Sequence, residues 1–433
     1  MSIAFFYFLD IYHSPYYNFF ILRINGVYMK IFEINSGNYG STGNIMLNIA
    51  KTAREKGSEV KVAYRKSRST TDSSDFEEIP VGNSFFGLTH RIFSELSGLE
   101  GCFSIIPTLK LVKQIKKFSP DIIHLHILHG WYINLPILFR FLKKINIPVV
   151  WTMHDCWAFT GHCPHFQIAE CEKWKSGCEN CPQYKGYPYS KVDNSKLMYN
   201  LKKKYFSSLE NLTIVTPSQW LKDLIKQSFL NRYDVKVINN GINLSVFKPV
   251  NSDFRTKNNI RDDEFLILGV AYDWDEKKGV DIFERLSKDL PEKYKIVLIG
   301  TDEASEKRLP EGIIKIRKTK NQEELVSIYS CADLFVNPTR EDTYPTVNME
   351  AIACGTPVLS FKTGGSPEII REKSGRVVDC DDYTSLKSEL IKITENSLFT
   401  KEDCVFESKR FDMYDKFDSY VELYNEILKN PTT

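Results

Sequence analysis

Residues 337–369 read Asn-Pro-Thr-Arg-Glu-Asp-Thr-Tyr-Pro-Thr-Val-Asn-Met-Glu-Ala-Ile-Ala-Cys-Gly-Thr-Pro-Val-Leu-Ser-Phe-Lys-Thr-Gly-Gly-Ser-Pro-Glu-Ile. The apolar run at 332–336 that leads into them suits a buried strand, which Pro338 ends. A polar loop follows, and Pro345 suits the first position of a short helix. Gly355 can close that helix and Pro357 blocks its continuation, so 358–361 reads as the next strand. Gly364-Gly365 then turns into a second helix with Ser366 as N-cap and Pro367 at its first position.

Two carboxylates stand out. Asp342 lies in the loop and Glu350 in the helix eight positions later, so they approach one place from different elements. An acidic pair beside helix N-termini suits a ligand whose hydroxyls donate to carboxylates and whose phosphates accept from backbone N–H groups. The plain alternative is a solvated Glu on an ordinary helix. The wider stretch favours the ligand reading. It resembles the nucleotide-sugar site of retaining glycosyltransferases of family 4: an acidic residue, seven residues, then Glu-Ala-Met-Ala-Cys-Gly-Thr-Pro-Val. Asp342, Glu350 and the run Ala351-Ile-Ala-Cys-Gly-Thr-Pro-Val358 carry the match, with Asp where the relatives more often have Glu.

A chain of 433 residues suggests two domains, and 42% hydrophobic with 26% charged residues is the composition of a folded globular protein. A net charge of +2 lends nucleic-acid binding no support. Residues 4–9 are apolar, but they lack a basic leader or a cleavage site and are too short to span a bilayer. Residues 30–34 look like the natural first strand. The expectation is that translation starts at Met29 and that 1–28 is an upstream extension outside the fold, in preference to an amphipathic membrane anchor.

After the first strand, Gly37, Gly40 and Gly43 form G-x-x-G-x-x-G before a helix over 45–56. This anion-cradling turn is not the G-x-G-x-x-G dinucleotide fingerprint. The second strand ends in Arg65-Lys66, where a nicotinamide enzyme would place an acid, so a dehydrogenase is disfavoured. Residues 108–118 form an amphipathic helix with Lys110, Lys113, Lys116 and Lys117 on its polar side. A solvated helix packed on the sheet is the favoured reading, and docking to an anionic membrane is the functional alternative. Two further strands deliver His126 and His154 at their carboxyl ends, where open α/β sheets bind ligands. His154, followed by Asp155, is the stronger candidate.

Four of the ten cysteines, Cys163, Cys171, Cys178 and Cys181, fall within nineteen residues. Cys178-Glu-Asn-Cys181 has the spacing for two thiolates on one tetrahedral ion, so the four could close a structural zinc site, with His162 and His165 as spare ligands. Two disulfides also fit the count, but without a signal peptide the compartment should be reducing. Unliganded buried thiols are the plain alternative. The text around these cysteines, 154–163 and 177–183, is similar to colanic-acid-type glycosyltransferases within family 4.

Turn residues accumulate at 240–252, which marks a hinge. A new strand at 265–271 and a loop carrying Lys277-Lys278-Gly279 open a helix over 280–290. Relatives carry a basic residue and Lys-Gly here for the donor diphosphate.

The resemblance implies a GT-B fold: two Rossmann-like, doubly wound parallel-sheet domains facing across a cleft. The expected domains are 29–240 on the acceptor side, with a Cys-rich insertion at 161–185, and 241–411 on the nucleotide-sugar donor side. A C-terminal helix within 412–433 should cross back to the first domain. The implied reaction moves a sugar from a nucleotide diphosphate-sugar to an acceptor hydroxyl, with retention. Lys277, Lys278 and backbone amides near Gly43, Gly364 and Gly365 would hold the diphosphate. Glu350 would take the ribose, Asp342 the sugar hydroxyls, and His154 would orient the sugar. No cofactor is required for that chemistry, although structural zinc would fit the cysteines. The partners are the donor and an oligosaccharide or lipid-linked acceptor of surface polysaccharide synthesis, in the cytoplasm or at the inner membrane face. A sugar-nucleotide epimerase of the same architecture and a catalytically silent glycan-binding protein are the alternatives.

Overall fold

The computed structural model describes residues 29–66 and 76–429, so the expectation for 1–28 concerns residues outside those described. The chain forms two compact units. Unit one holds the described residues up to Met153, Glu179–Val215 and the chain from Phe417 onward, and unit two holds His154–Cys178 and Thr216–Lys416. The sequence reading placed the whole cysteine-rich stretch with the first domain, whereas His154–Cys178 packs with the second.

The first sheet contains β1 (Lys30–Asn35), β2 (Glu59–Tyr64), β3 (Glu77–Pro80), β4 (Ile122–Leu125), β5 (Val149–Thr152), β6 (Leu212–Thr216) and β7 (Asp234–Val237). Its order is β3-β2-β1-β4-β5-β6-β7, with β1 parallel to both β2 and β4. By sequence, β7 falls in the stretch assigned to unit two. The helix expected at 45–56 is Gly40–Glu55, so Gly43 sits in its first turn and not in a loop. The turn is made earlier, where the Asn35 side-chain amide donates to Gly37 O at 2.9 Å. A Cβ on Gly43 would fall 2.5 Å from the Asn38 carbonyl carbon, so this helix start needs glycine for close approach.

The second sheet contains β8 (Phe265–Val270), β9 (Tyr294–Ile299), β10 (Ile313–Ile316), β11 (Leu334–Asn337), β12 (Val358–Phe361) and β13 (Gly375–Val378). Its order is β10-β9-β8-β11-β12-β13, and β8 pairs in parallel with β9 and β11. Both faces of this sheet are covered. Leu266 and Leu268 of β8 and Phe335 of β11 enter one apolar cluster, and Ile267, Leu334 and Val336 enter the other. That is why these strands read as unbroken apolar runs and show no alternation.

The helix after the Asp342 loop spans Thr346–Ala353, with Pro345 one place earlier than expected, as its N-cap. Gly355 closes it at φ +85°. The next helix, Ser366–Ile369, likewise takes Gly365 as N-cap and Ser366 as its first residue. Both shifts are of one residue, because side-chain spacing fixes that a helix starts but not which residue first adopts helical dihedrals.

The last helix is Met413–Lys429. Within unit one, Tyr424 OH lies 2.7 Å from His124 Nδ1, and the His124 Nε2–Thr152 Oγ1 distance is 2.8 Å. His126, expected to line the crevice, is 1% exposed and stands 3.4 Å from the fully buried Glu33. Burial pushes the Glu33 pKa well above the usual carboxylate range. Glu33, His124 and His126 form a convergent set of potential ligand atoms among the described residues. Only His126 of this set stood out in the sequence, because Glu33 on β1 lies more than ninety residues from His124 and His126 at the end of β4.

Candidate active site in unit two

In a doubly wound sheet a ligand crevice opens where strand order reverses, between the loops that leave the two central strands. In unit two those strands are β8 and β11. Their loops, 271–279 and 338–345, carry Lys277-Lys278 and Glu341-Asp342. The Lys278 Nζ–Asp342 Oδ2 distance is 2.9 Å, and that from Lys277 Nζ to Glu341 Oε2 is 3.4 Å. Adjacent lysines thus meet adjacent acids in register.

Backbone contacts and one arginine fix the two loops together. Arg340 N–H donates to Lys277 O at 2.8 Å. The Arg340 guanidinium grips both oxygens of Asp281 at 2.8 Å each, and its Nε donates to Asp381 at 2.6 Å. This two-pronged geometry is one that a lysine could not supply. Gly279 has φ +76°, and a Cβ there would fall 2.5 Å from Pro338 O.

The pair's electrostatics follow from burial opposed by charge. Burial acts to raise the Asp342 pKa, but the Lys278 ammonium, its hydrogen bond and then His165 outweigh it and hold the carboxyl below its ordinary value. Burial likewise works against the Lys278 charge, and Asp342, followed by Asp273 and Asp275, more than restores it. Burial lowers the pKa of His165 against the opposing pull of Asp155, Glu341 and Asp342. His165, considered above only as a spare zinc ligand, is therefore the imidazole that interacts with the Lys278–Asp342 pair. His154 follows β5 and is half-buried at the start of unit two's first stretch. Asp155 beside it accepts from Trp157 N–H at 2.8 Å.

Glu350 is not a solvated helix residue. Its neighbours Met349, Ala351, Ile352 and Ala353 are at most 1% exposed, so the helix is buried nearly all round. Burial pushes the Glu350 carboxyl up to about 7, against weaker opposing bonds from Tyr329 and Thr346. Tyr329 OH donates to Glu350 Oε2 at 3.3 Å.

The glycine pair plays a different part from the one expected of it. Gly365 N–H donates to Thr343 O at 2.9 Å and Ser366 N–H to Thr363 O at 3.0 Å, while Pro367 has no N–H. These amides are already occupied. What the turn supplies is closeness: a Cβ on Gly364, at φ +54°, would fall 1.8 Å from Asp342 O. The glycines hold the Asp342 loop in place.

None of the ten cysteines is in a disulfide. Cys163, Cys171 and Cys178 lie in unit two's stretch and Cys181 in unit one's. Gly161 N–H donates to Cys178 Sγ at 3.1 Å. The sequence reading passed over Glu341 and Arg340, and it took His165 only as a spare zinc ligand. The doubled Glu-Asp opposite a doubled Lys-Lys was the available signal.

Comparison with known proteins agrees with this architecture. The family profile described as Glycosyltransferase Family 4 matches residues 42–246, and that described as Glycosyl transferases group 1 matches 250–410. The chain is 25% identical over 277 residues to a protein named as a putative colanic acid biosynthesis glycosyl transferase, WcaC, of Escherichia coli K12. That match covers 62% of this chain and 66% of the relative, just under two thirds of its length. Among solved structures, sucrose-phosphate synthase from Thermosynechococcus elongatus superposes with a TM-score of 0.68 at 18% identity, covering 93% of this chain and 99% of that one. Anabaena HepE in complex with UDP-glucose gives 0.65 at 15%, covering 92% and 100%. Two Rossmann-like parallel sheets, these neighbours and two adjoining profiles agree on the GT-B fold, and the chain belongs to the family 4 glycosyltransferases.

Proposed function

We propose that this chain transfers a hexose from a nucleoside diphosphate-sugar to a hydroxyl of a growing, lipid-linked oligosaccharide, with retention, in surface polysaccharide synthesis. The observation that carries the reading is the charged quartet Lys277, Lys278, Glu341 and Asp342 at the strand-order reversal, in the same unit as the half-buried Glu350. As the glycosidic bond breaks, negative charge grows on the diphosphate. Lys277 and Lys278 would meet it there, exchanging part of their carboxylate contacts for phosphate oxygens. Asp342 would then accept from the sugar hydroxyls, Glu350 from the ribose, and His154 would orient the sugar. No protein base is assigned, because the leaving phosphate can take the acceptor proton. The names of the colanic-acid relative and the UDP-glucose complex support a nucleotide-sugar donor and a polysaccharide product.

A panel of nucleotide-sugars read by nucleotide release, with and without an oligosaccharide acceptor, tests this reading. Acceptor-dependent release with one donor is expected. Epimerised donor without transfer would favour an epimerase, and binding without turnover a silent glycan-binding protein.

Glu350 gives a pH test. Because its pKa is raised to about 7, the folded ligand-free protein holds a proton there that the unfolded chain has lost. Its stability should therefore fall as pH rises from the ordinary carboxyl range through about 7, and Glu350→Gln should flatten that slope. A ribose hydroxyl donates best to the ionised carboxylate, so donor affinity should strengthen through the same window in the wild type only. The ribose is remote from the reacting carbon, so this variant should raise the donor KM more than it lowers kcat. An unchanged pH dependence of donor affinity in Glu350→Gln would take the ribose role from Glu350.

The cysteine spacing supports a structural zinc ion, and protein purified without chelator under reducing conditions should carry about one zinc per chain. Metal analysis that finds none would leave the four as thiols.

A further inference from the structure

Strand periodicity brings three polar side chains together inside unit one. Glu33 of β1 pairs in register with His124 of the parallel strand β4. Side chains two apart on a strand share a face, so His126 joins them on the same side. The two imidazole rings lie 4.1 Å apart, centroid to centroid, with their planes 37° from parallel. The His126 backbone is fixed at both ends: its N–H donates to Ile34 O at 2.9 Å, and Trp151 Nε1 donates to its carbonyl at 2.8 Å. Glu33 and His124 are fully buried and His126 is 1% exposed.

Glu33 is buried without the partners that a carboxyl needs. Among the described residues neither of its oxygens accepts a hydrogen bond. An unsatisfied buried carboxyl costs its full desolvation, whereas an apolar side chain of the same shape would be nearly neutral. A proton would not settle the matter, because a protonated carboxyl still has a carbonyl oxygen that needs a donor. What stands near it is an imidazole nitrogen, His126 Nε2, at 3.4 Å. One potential ligand atom from each of Glu33, His124 and His126 lies within 4.8 Å of the other two. Ligand atoms on a tetrahedral zinc ion stand roughly 3.4 Å from one another, so the Glu33–His126 separation has the span that such an ion requires.

We propose that Glu33, His124 and His126 bind a zinc ion in the interior of unit one. Two imidazoles and a carboxylate are a nitrogen-and-oxygen set that zinc accepts. The hydroxyls on His124 complete it. Tyr424 OH lies 2.7 Å from Nδ1, and Thr152 Oγ1 lies 2.8 Å from Nε2. The ion takes one of these nitrogens together with the hydroxyl beside it as fourth ligand. The other nitrogen keeps its hydroxyl, which fixes the ring's orientation. The site would thus tie β1, β4 and the end of the last helix together at one point. With every ligand buried it is a closed, structural site, and the ion enters as the chain folds. The inference rests on unit one alone and stands apart from the sugar-transfer reading of unit two.

The test is metal analysis with zinc X-ray absorption on the full chain, produced with zinc in the medium and purified without chelator under reducing conditions. About one zinc per chain with nitrogen and oxygen neighbours is expected, beside the sulfur-bound ion expected of the cysteines. Absorption separates the two, because zinc–sulfur distances are longer, at about 2.3 Å. Glu33→Gln keeps the size and removes the anionic ligand, so it should lose the nitrogen- and oxygen-bound zinc and keep any sulfur-bound one. Glu55→Gln alters an exposed carboxylate of the same unit and should lose neither. The wild-type spectrum does not depend on any variant folding, and a chain without nitrogen- and oxygen-bound zinc overturns the proposal. So does retention of that zinc in Glu33→Gln. Zinc that leaves when the folded wild-type chain is dialysed against a chelator was held at the surface, and that result overturns it as well.

Discussion

Asp342→Asn is expected to lower kcat for sugar transfer by about 100-fold, with a smaller change in donor KM. The wild-type carboxylate is ionised because Lys278 is 2.9 Å away and outweighs burial. In the proposed complex it would accept from the sugar hydroxyls and so set the anomeric carbon's position relative to the acceptor. An amide keeps the size but offers one acceptor oxygen and an NH₂ that faces the Lys278 ammonium. The complementary variant should fail differently. Lys278→Ala removes a charge from the diphosphate and leaves Asp342 partly buried without its counter-ion, so donor affinity should drop by roughly 1–3 kcal/mol. The double variant should lose less than the sum of the two, because the residues are in direct contact. This pair should not generate a pH profile near neutrality. The depressed Asp342 pKa gives stability that is present above its unfolded value and lost only as pH falls through the folded one. Asp342→Asn with wild-type kcat, or strictly additive effects in the cycle, would break the assignment.

Gly364→Ala should be the most damaging single methyl group in the second unit. Its Cβ would lie 1.8 Å from Asp342 O, and the backbone there has φ +54°, a region that costs a non-glycine residue roughly 1–2 kcal/mol. The clash is with backbone on both sides, so relief requires the Asp342 loop or the Gly364 turn to move. Overpacking of this kind adds about 1–3 kcal/mol. The expected result is a lowered unfolding midpoint together with lost donor binding. Gly312→Ala is the control, since a Cβ there meets nothing within 4 Å. Equal stability and donor affinity in the two variants would show that the loop does not depend on this close approach.

Much of the chain's organisation could be read from residue order alone. Apolar runs of strand length punctuated by Gly and Pro marked β8, β11 and β12, because a parallel sheet covered on both faces leaves no polar alternation to confuse the reading. The motif from Asp342 to Val358 carried the family, and the doubled lysines before Gly279 carried the loop that faces it. Helix starts were less legible. Gly40–Glu55 begins five residues before the apolar periodicity, and Ser84–Ser97 went unread because its apolar residues look like an ordinary buried face.

What residue order determined is therefore the alternation of strands and helices, the two sheets and the stretch that bears the candidate chemistry. These depend on local propensity and on periodicity, both written in consecutive residues. Tertiary structure decided which charges meet. The Lys278–Asp342 contact spans 64 positions and His124–Tyr424 spans 300, and no local pattern encodes such pairs. It also decided polarity of burial: Glu350 sits among apolar neighbours and is pushed to about 7, while Phe85 and Leu88 face outward. Burial is a property of what packs around a residue, and for these residues the packing partners come from distant parts of the chain.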